Sequence, residues 1–320
     1  MPRTLARFAH VIIASAALAV TAAPAHAVDN LKVMIGANPG GGFDQTGRTL
    51  GAAMVAAGTA KSASYDNKGG AGGTIGLTQF VNTDKGNPNA LIVTGAVMVG
   101  AIETNHPPVT LKNATPVARL FADTMVITVP ANSPLKSVKD LTTQLKANPG
   151  SVSWGGGSKG SIDHILAGLI AKDVGVDPKK INYVPFQGGG EASASILGGH
   201  VTVGIAGVSE FLPFIKSGKM RALAVTSKDR TADIPTLKEQ GVNVEIYNWR
   251  GVYGAPGITP EQRKALIDAV VKGTENAVWK DALQKNDWTP FLLTGDEFGK
   301  FVEAESARLG GTLRELGVAR

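Results

Sequence analysis

Pro39-Gly40-Gly41-Gly42-Phe43-Asp44 follows an apolar run at 31–37 and opens a helical stretch, and Gly155-Gly156-Gly157-Ser158-Lys159-Gly160-Ser161 does the same after residues 152–154. Each unit then repeats the arrangement. The first helical stretch leads to Lys68-Gly69-Gly70-Ala71-Gly72-Gly73, and the second leads, through a further strand, to Pro185-Phe186-Gln187-Gly188-Gly189-Gly190. The two units are architecturally equivalent. Glycine between a strand and a helix lets the backbone turn tightly and come close to a bound molecule. The unpaired N–H groups of the helix that follows favour an anion. Two facing sets of such turns would hold the ends of a small carboxylate without any arginine–carboxylate pair.

Outward from these turns, β-rich runs at 90–95, 125–130, 152–155, 181–186, 201–206 and 221–226 alternate with helical stretches at 44–57, 162–174, 191–198, 236–240, 260–277 and 296–316. That alternation predicts an α/β fold with largely parallel sheets covered by helices. Thr259 with Gln262 and Thr294 with Glu297 have the spacing of a capping box, and Pro260 suits the first position of a helix. Residues 28–320 exceed the size at which one core stops growing, so two domains are expected.

At the N-terminus, Arg3, Arg7 and His10 precede the apolar run 11–20, and Ala25-His26-Ala27 supplies a small-x-small cleavage site. The run is shorter than the roughly 20 residues of a membrane span. We read residues 1–27 as an export signal and Val28 as the mature N-terminus. The chain has no cysteine to carry a lipid, so the expected product is a periplasmic monomer free in solution, large enough to build its core without disulfides. The formal charge of +6 falls to +4 when Arg3 and Arg7 leave with the signal. No stripe of lysine and arginine with interleaved aromatics marks a nucleic-acid surface, while a weakly positive protein does not repel an anionic solute.

Catalytic patterns find little support. Gly155, Gly157 and Gly160 formally match G-x-G-x-x-G, but the chain reads Gly175-Val176-Asp177-Pro178 where an acidic ribose partner would be needed. No Walker-type phosphate loop, H-E-x-x-H or G-x-S-x-G is present, and residues 28–320 carry only His106, His164 and His200. No metal or cofactor is expected. His164 lies in the first turn after Ser161, where it either donates to a ligand or braces the loop. Asp44 either caps its helix and holds the glycine turn or, facing the cleft, binds an amino group, a hydroxyl or a water. Ser158 and Ser161 are candidate donors with capping as their alternative role. Ser209-Glu210 is a further candidate lining element.

The sequence resembles the periplasmic solute receptors of the tripartite tricarboxylate transporters. The resemblance runs from Leu31-Lys32-Val33-Met34 through the turn at 39–48, the turn at 67–73, Gly156-Gly157-Ser158-Lys159-Gly160-Ser161-Ile162-Asp163-His164 and Val184-Pro185-Phe186-Gln187-Gly188-Gly189-Gly190-Glu191 to residues 218–226. It implies a two-lobed Venus-flytrap fold with a mixed sheet in each lobe. Crossings near 126–130 and 249–253 would give a discontinuous first lobe, 28–127 with 252–320, and a second lobe, 128–251. Carried over, Gly41, Gly42, Phe43, Gly72 and Gly73 would serve the first lobe, and Ser158, Gly160, His164, Gln187, Gly188 and Gly189 the second. Asp44 and Ser209 join them as candidates from the residues themselves. The chain departs from the family pattern in having Phe43 before Asp44, a feature of the tricarboxylate-binding branch that favours citrate or a related polycarboxylate. It also lacks the Asp or Asn that many relatives carry after 201–206. The resemblance implies delivery of a di- or tricarboxylate to a membrane permease with large and small transmembrane subunits. The alternatives are a ligand-sensing module for a membrane sensor kinase and an exported enzyme using Asp44 or His164 as base.

Overall fold

In the computed structural model, which describes residues 28–231 and 233–319, the chain begins with β1 (Val28–Ile35), α1 (Gly42–Ala56), β2 (Ala60–Asn67), α2 (Thr74–Thr83), β3 (Ala90–Gly95) and α3 (Ala96–Asn105). A long β4 (Thr115–Pro130) leads to α4 (Val138–Ala147), β5 (Ser153–Gly156), α5 (Ile162–Asp173), β6 (Asn182–Pro185) and α6 (Gly189–Leu197). Then follow β7 (Val203–Gly207), α7 (Val208–Lys216) and β8 (Met220–Val225). The chain returns through β9 (Tyr247–Gly254) to α8 (Pro260–Thr274), α9 (Ala277–Asn286), β10 (Thr289–Thr294) and α10 (Gly295–Glu315). The expected export signal lies outside the described residues.

Strand pairing defines two mixed sheets, one in each lobe. The first has the order β2-β1-β3-β9-β4-β10, with β1 parallel to β2 and β3 and the remaining pairs antiparallel. The second has the order β8-β4-β7-β5-β6, with β5 parallel to β6 and β7 and with β4 antiparallel to β7 and β8. Strand β4 belongs to both. Residues 115–124 pair with β9, whereas 125–130 pair with β7 and β8. The outward crossing therefore falls between Thr124 and Met125, and the return crossing precedes Tyr247. Residues 126–130 lie within the second sheet and 249–253 within the first. On this pairing we assign 28–124 and 247–319 to the first lobe and 125–246 to the second.

Burial explains which elements form where. β3, Ala90-Leu91-Ile92-Val93-Thr94-Gly95, is buried throughout, as befits an interior strand covered on both faces. β2 is an edge strand with mostly exposed or half-buried residues, and its polar sequence hides it from a reading based on apolar runs. α3 is apolar on most sides because it packs between its sheet and α10. At α8 the capping box forms as the spacing predicts, with Thr259 Oγ1 accepting from Gln262 N–H at 3.2 Å and Gln262 Oε1 from Thr259 N–H at 2.9 Å. The expected box at Thr294 does not form. Thr294 precedes α10 without a side-chain cap, and Gly295 starts that helix at φ +55°, outside helical geometry. The stretch 236–240 is a single 3-10 turn, Lys238–Gln240, stopped by Gly241 at φ +82°.

Candidate functional site

The two strand–helix units, β1-α1-β2-α2 and β5-α5-β6-α6, bring their glycine turns together between the lobes. A Cβ on Gly41 would lie 2.7 Å from the backbone nitrogen of Gly189, one on Gly188 3.1 Å from Asn38 Cβ, and one on Gly72 3.1 Å from Ser158 Oγ. The lobes are thus closed on each other, and glycine is what lets them approach so far. Between them lies a cavity of about 70 Å³. The first lobe lines it with Gly36, Ala37, Gly41, Gly42, Phe43, Gly72, Val97, Asn248 and Arg250. The second contributes Gly157, Ser158, Asp163, Gln187, Gly188, Gly189 and Glu210, with Phe186, Ala192, Ile205 and Ala206 as an apolar wall. Of the residues expected from sequence, Gly41, Gly42, Phe43, Gly72, Ser158, Gln187, Gly188 and Gly189 reach the cavity. Gly73, Asp44, Gly160, His164 and Ser209 stand behind it.

Those behind the wall hold the turns. Asp44 is the third residue of α1 and accepts the Gly40 N–H at 3.1 Å, the Arg48 Nε–H at 2.8 Å and the Asn67 amide at 3.0 Å. His164 occupies the same position in α5, and its Nδ1 accepts the Gly160 N–H at 3.1 Å. Its ring stacks on Tyr183 with centroids 4.1 Å apart. Burial and the nearby Lys159 push its pKa down to about 4, so the imidazole is neutral at periplasmic pH. Gly160, at φ +80°, packs against Thr104 of the first lobe; Gly73, at φ +93°, begins α2 against Gly36 and Phe43. Ser209 is buried and donates to Asp123 Oδ2 at 2.7 Å.

Of the charged lining, the sequence reading named Glu210 beside Ser209 as a candidate and missed Arg250 and Asp163. Arg250, from β9 of the first lobe, corrects the expectation of a site without arginine. Its Nη2 lies 3.6 Å from Glu210 Oε1, both side chains are buried, and its guanidinium sits 4.9 Å from the Phe43 ring. Glu210 is the third residue of α7; besides Arg250, the N–H groups of Gly207 in its own lobe and of Gly42 in the other favour its ionised form. Burial nevertheless raises its pKa. Asp163, which accepts the Gly157 N–H at 2.6 Å, and Asp123, which accepts from Ser209, are both pushed up to about 7 by burial.

A family model described as the tripartite tricarboxylate transporter family receptor matches residues 51–318. The chain belongs to this family. It is 26% identical over 323 residues to the "UPF0065 protein in gbd 5'region" of Cupriavidus necator, covering 98% of this chain and 97% of that one. Among solved structures it resembles the periplasmic binding protein BugD, with a TM-score of 0.83 at 21% identity over 91% of this chain and 98% of BugD. It likewise resembles R. palustris Rpa4515 with adipate, with a TM-score of 0.80 at 23% identity over 91% and 98% of the two chains. The receptor is periplasmic, and its two lobes with a mixed sheet in each are those of this type of binding protein. One signal in the receptor's sequence marks Arg250, a lone charge in the run Trp249-Arg250-Gly251-Val252-Tyr253. A lone charge in a buried strand demands a partner.

Proposed function

We propose that the receptor captures a small organic carboxylate between its lobes and delivers it to a membrane permease of large and small transmembrane subunits. The observation that carries this reading is the meeting of the helix starts. α1, α5 and α6 all begin at glycine turns on the cavity. The starts of α5 and α6 carry partial positive charge that favours an anion, the Gly42 N–H of α1 is already turned to Glu210, and Arg250 adds a full positive charge. The cavity of about 70 Å³ corresponds to roughly five water sites at about 10–15 Å³ each, which suits a short-chain acid. That a relative of similar fold was solved with adipate agrees with this chemistry. The finer reading is a carboxylate of about three to six carbons. A tricarboxylate such as citrate, which Phe43 suggests, would have to sit beside the buried carboxyls of Glu210 and Asp163.

Capture breaks no bond. Both lobes line the cavity, so a ligand favours closure only as far as it binds the closed form better than the open one. The test is a thermal-shift screen of the purified receptor with mono-, di- and tricarboxylates and with neutral sugars, followed by titration calorimetry of the hits. Stabilisation by carboxylates alone is expected. Binding of a neutral sugar at micromolar concentration, with no response to any acid, would overturn the reading.

A further inference from the structure

We propose that Glu210 and Arg250 make this receptor selective for monocarboxylates whose second polar group is a hydrogen-bond donor, and that they reject a second carboxylate. The inference rests on the carboxylate reading above and narrows it. Glu210 reaches from the second lobe to the start of α1 in the first, where the Gly42 N–H favours its carboxylate. Its Oε1 lies 2.8 Å from where a Gly42 Cβ would stand, and its Oε2 3.3 Å from where a Gly41 Cβ would stand. The protein's own carboxylate therefore occupies the anion-attracting end of α1, and a ligand carboxylate arriving there meets a like charge.

The remaining polar capacity of that wall lies on two side chains. Arg250 is 3% exposed, its Nη2 faces Glu210, and its Nη1 is buried without a hydrogen-bond partner. Asn248 is 1% exposed and its Oδ1 is likewise buried without a partner. A buried polar atom left unpaired costs free energy that a suitable ligand atom recovers. The free guanidinium N–H calls for one carboxylate oxygen, and the free amide oxygen calls for a donor. Among the described residues the cavity is lined by one cation, Arg250, and two carboxyls, Glu210 and Asp163. A first ligand carboxylate can take the free Arg250 Nη1–H, although Arg250 already shares its charge with Glu210. A second would be a buried charge without a counter-ion, whereas a hydroxyl or amide in its place would find acceptors.

Glu210 also accepts from the N–H at the start of its own helix, so its charge must be removed without removing that cap. Glu210→Gln does so. The experiment is calorimetry on the purified receptor and on Glu210→Gln with the three- to six-carbon dicarboxylates and their half-amides, each diacid differing from its half-amide by one charged group. The parent is expected to bind at least one half-amide about tenfold or more tightly than the matching diacid, a ratio that each 1.4 kcal/mol multiplies by about ten. In Glu210→Gln that preference should shrink by about tenfold or reverse. Diacids bound more tightly than their half-amides by the parent, which needs no variant to be read, would overturn the proposal. So would a preference unchanged in a folded Glu210→Gln. If neither diacids nor half-amides bind the parent while another acid of the screen does, this inference alone fails; if no acid binds, the carboxylate reading fails with it.

Discussion

In the first lobe the Gly40 N–H donates to Asp44, four residues on, and in the second the Gly160 N–H donates to His164 across the same interval. The geometry is shared and the chemistry is not. Asp44 is a carboxylate whose charge is answered by Arg48 and by the Asn67 amide. His164 is a neutral ring stacked on Tyr183. What the turn requires is an acceptor at the third helical position that gathers the chain entering the helix, and either group supplies it. In neither lobe does the brace present an unanswered charge to the cavity. The charges that a ligand meets come from Arg250, Glu210 and Asp163 instead, so turn geometry and ligand selection rest on different residues.

The strongest way to break the equivalence is to add a side chain at a turn. Gly41 has φ −103° and ψ 179°, a backbone that valine adopts readily. Its Cβ would collide with the Gly189 nitrogen of the other lobe. Gly41→Val is therefore expected to fold, with cooperative melting near the parent, yet to lose ligand affinity by about a hundredfold or more, since about 2.8 kcal/mol of clash suffices. Gly160→Val should behave differently. Its φ of +80° is strained for valine within its own lobe, and Thr104 crowds the site besides, so a loss of folding stability of about 1–3 kcal/mol is expected from strain. Urea denaturation and calorimetry on both variants check this, and a Gly41→Val protein that binds normally would mean that the lobes need not close at this turn.

Removing the braces themselves ranks next. Asp44→Ala deletes one backbone and two side-chain hydrogen bonds to a charged group and should cost about 2–3 kcal/mol; His164→Ala deletes one neutral bond and a stacked ring and should cost about 1–2 kcal/mol. The ordering, read from urea midpoints, is the point of comparison. A larger loss at His164 would mean that stacking on Tyr183, rather than the hydrogen bond to Gly160, holds the second turn.

The pH dependence of stability sharpens the same contrast. His164 is depressed from 6.5 to about 4, so between these values the unfolded chain binds a proton that the folded chain refuses, and stability rises with pH. Asp123 and Asp163 are raised from 3.8 to about 7. Between those values the folded chain holds protons that the unfolded chain has lost, so their contribution falls with pH. The terms oppose each other in one window. In His164→Gln the rising term is gone, and the slope of unfolding free energy between pH 4.5 and 6.5 should become more negative by up to about 1.4 kcal/mol per pH unit. Thermal melts across that range measure it, and an unchanged slope would mean that the imidazole is not held neutral.

How much of this was legible in the sequence follows from where each residue's meaning resides. Gly41, Gly72 and Gly189 could be read locally, because a run of glycine between strand and helix already implies a close approach. Sequence marks Arg250 only as a charge in need of a partner and Glu210 only as a candidate beside Ser209, because each acquires its role from the other, 40 positions away and in the opposite lobe. The first half of β4 was missed because its continuity through Asp123 and Thr124 depends on pairing with β9, more than 120 residues later. β2 lacks an apolar run because it lies at an edge. The caps at Thr259 and Thr294 share the capping-box spacing, but the first helical residue is Pro260 in one and Gly295, at φ +55°, in the other.

The smallest expected effect concerns a third turn that repeats the brace in the open. Glu191, third in α6, accepts the Gln187 N–H at 3.3 Å with one oxygen, while its other oxygen accepts from Asn38 of the first lobe. Unlike Asp44 and His164, it is exposed. Water replaces both bonds when the side chain is removed, so Glu191→Ala should lower folding stability by only about 0.2–1 kcal/mol. The Asn38 contact crosses the cleft and exists only when the lobes are closed, so its loss should also weaken ligand binding, by less than about fivefold on the scale of 1.4 kcal/mol per decade. Calorimetry against the carboxylate bound by the parent measures this, with urea denaturation as the folding control. A loss of tenfold or more with unchanged folding would make this exposed bridge a principal closing contact, and the buried turn at Gly41 would no longer account for closure alone.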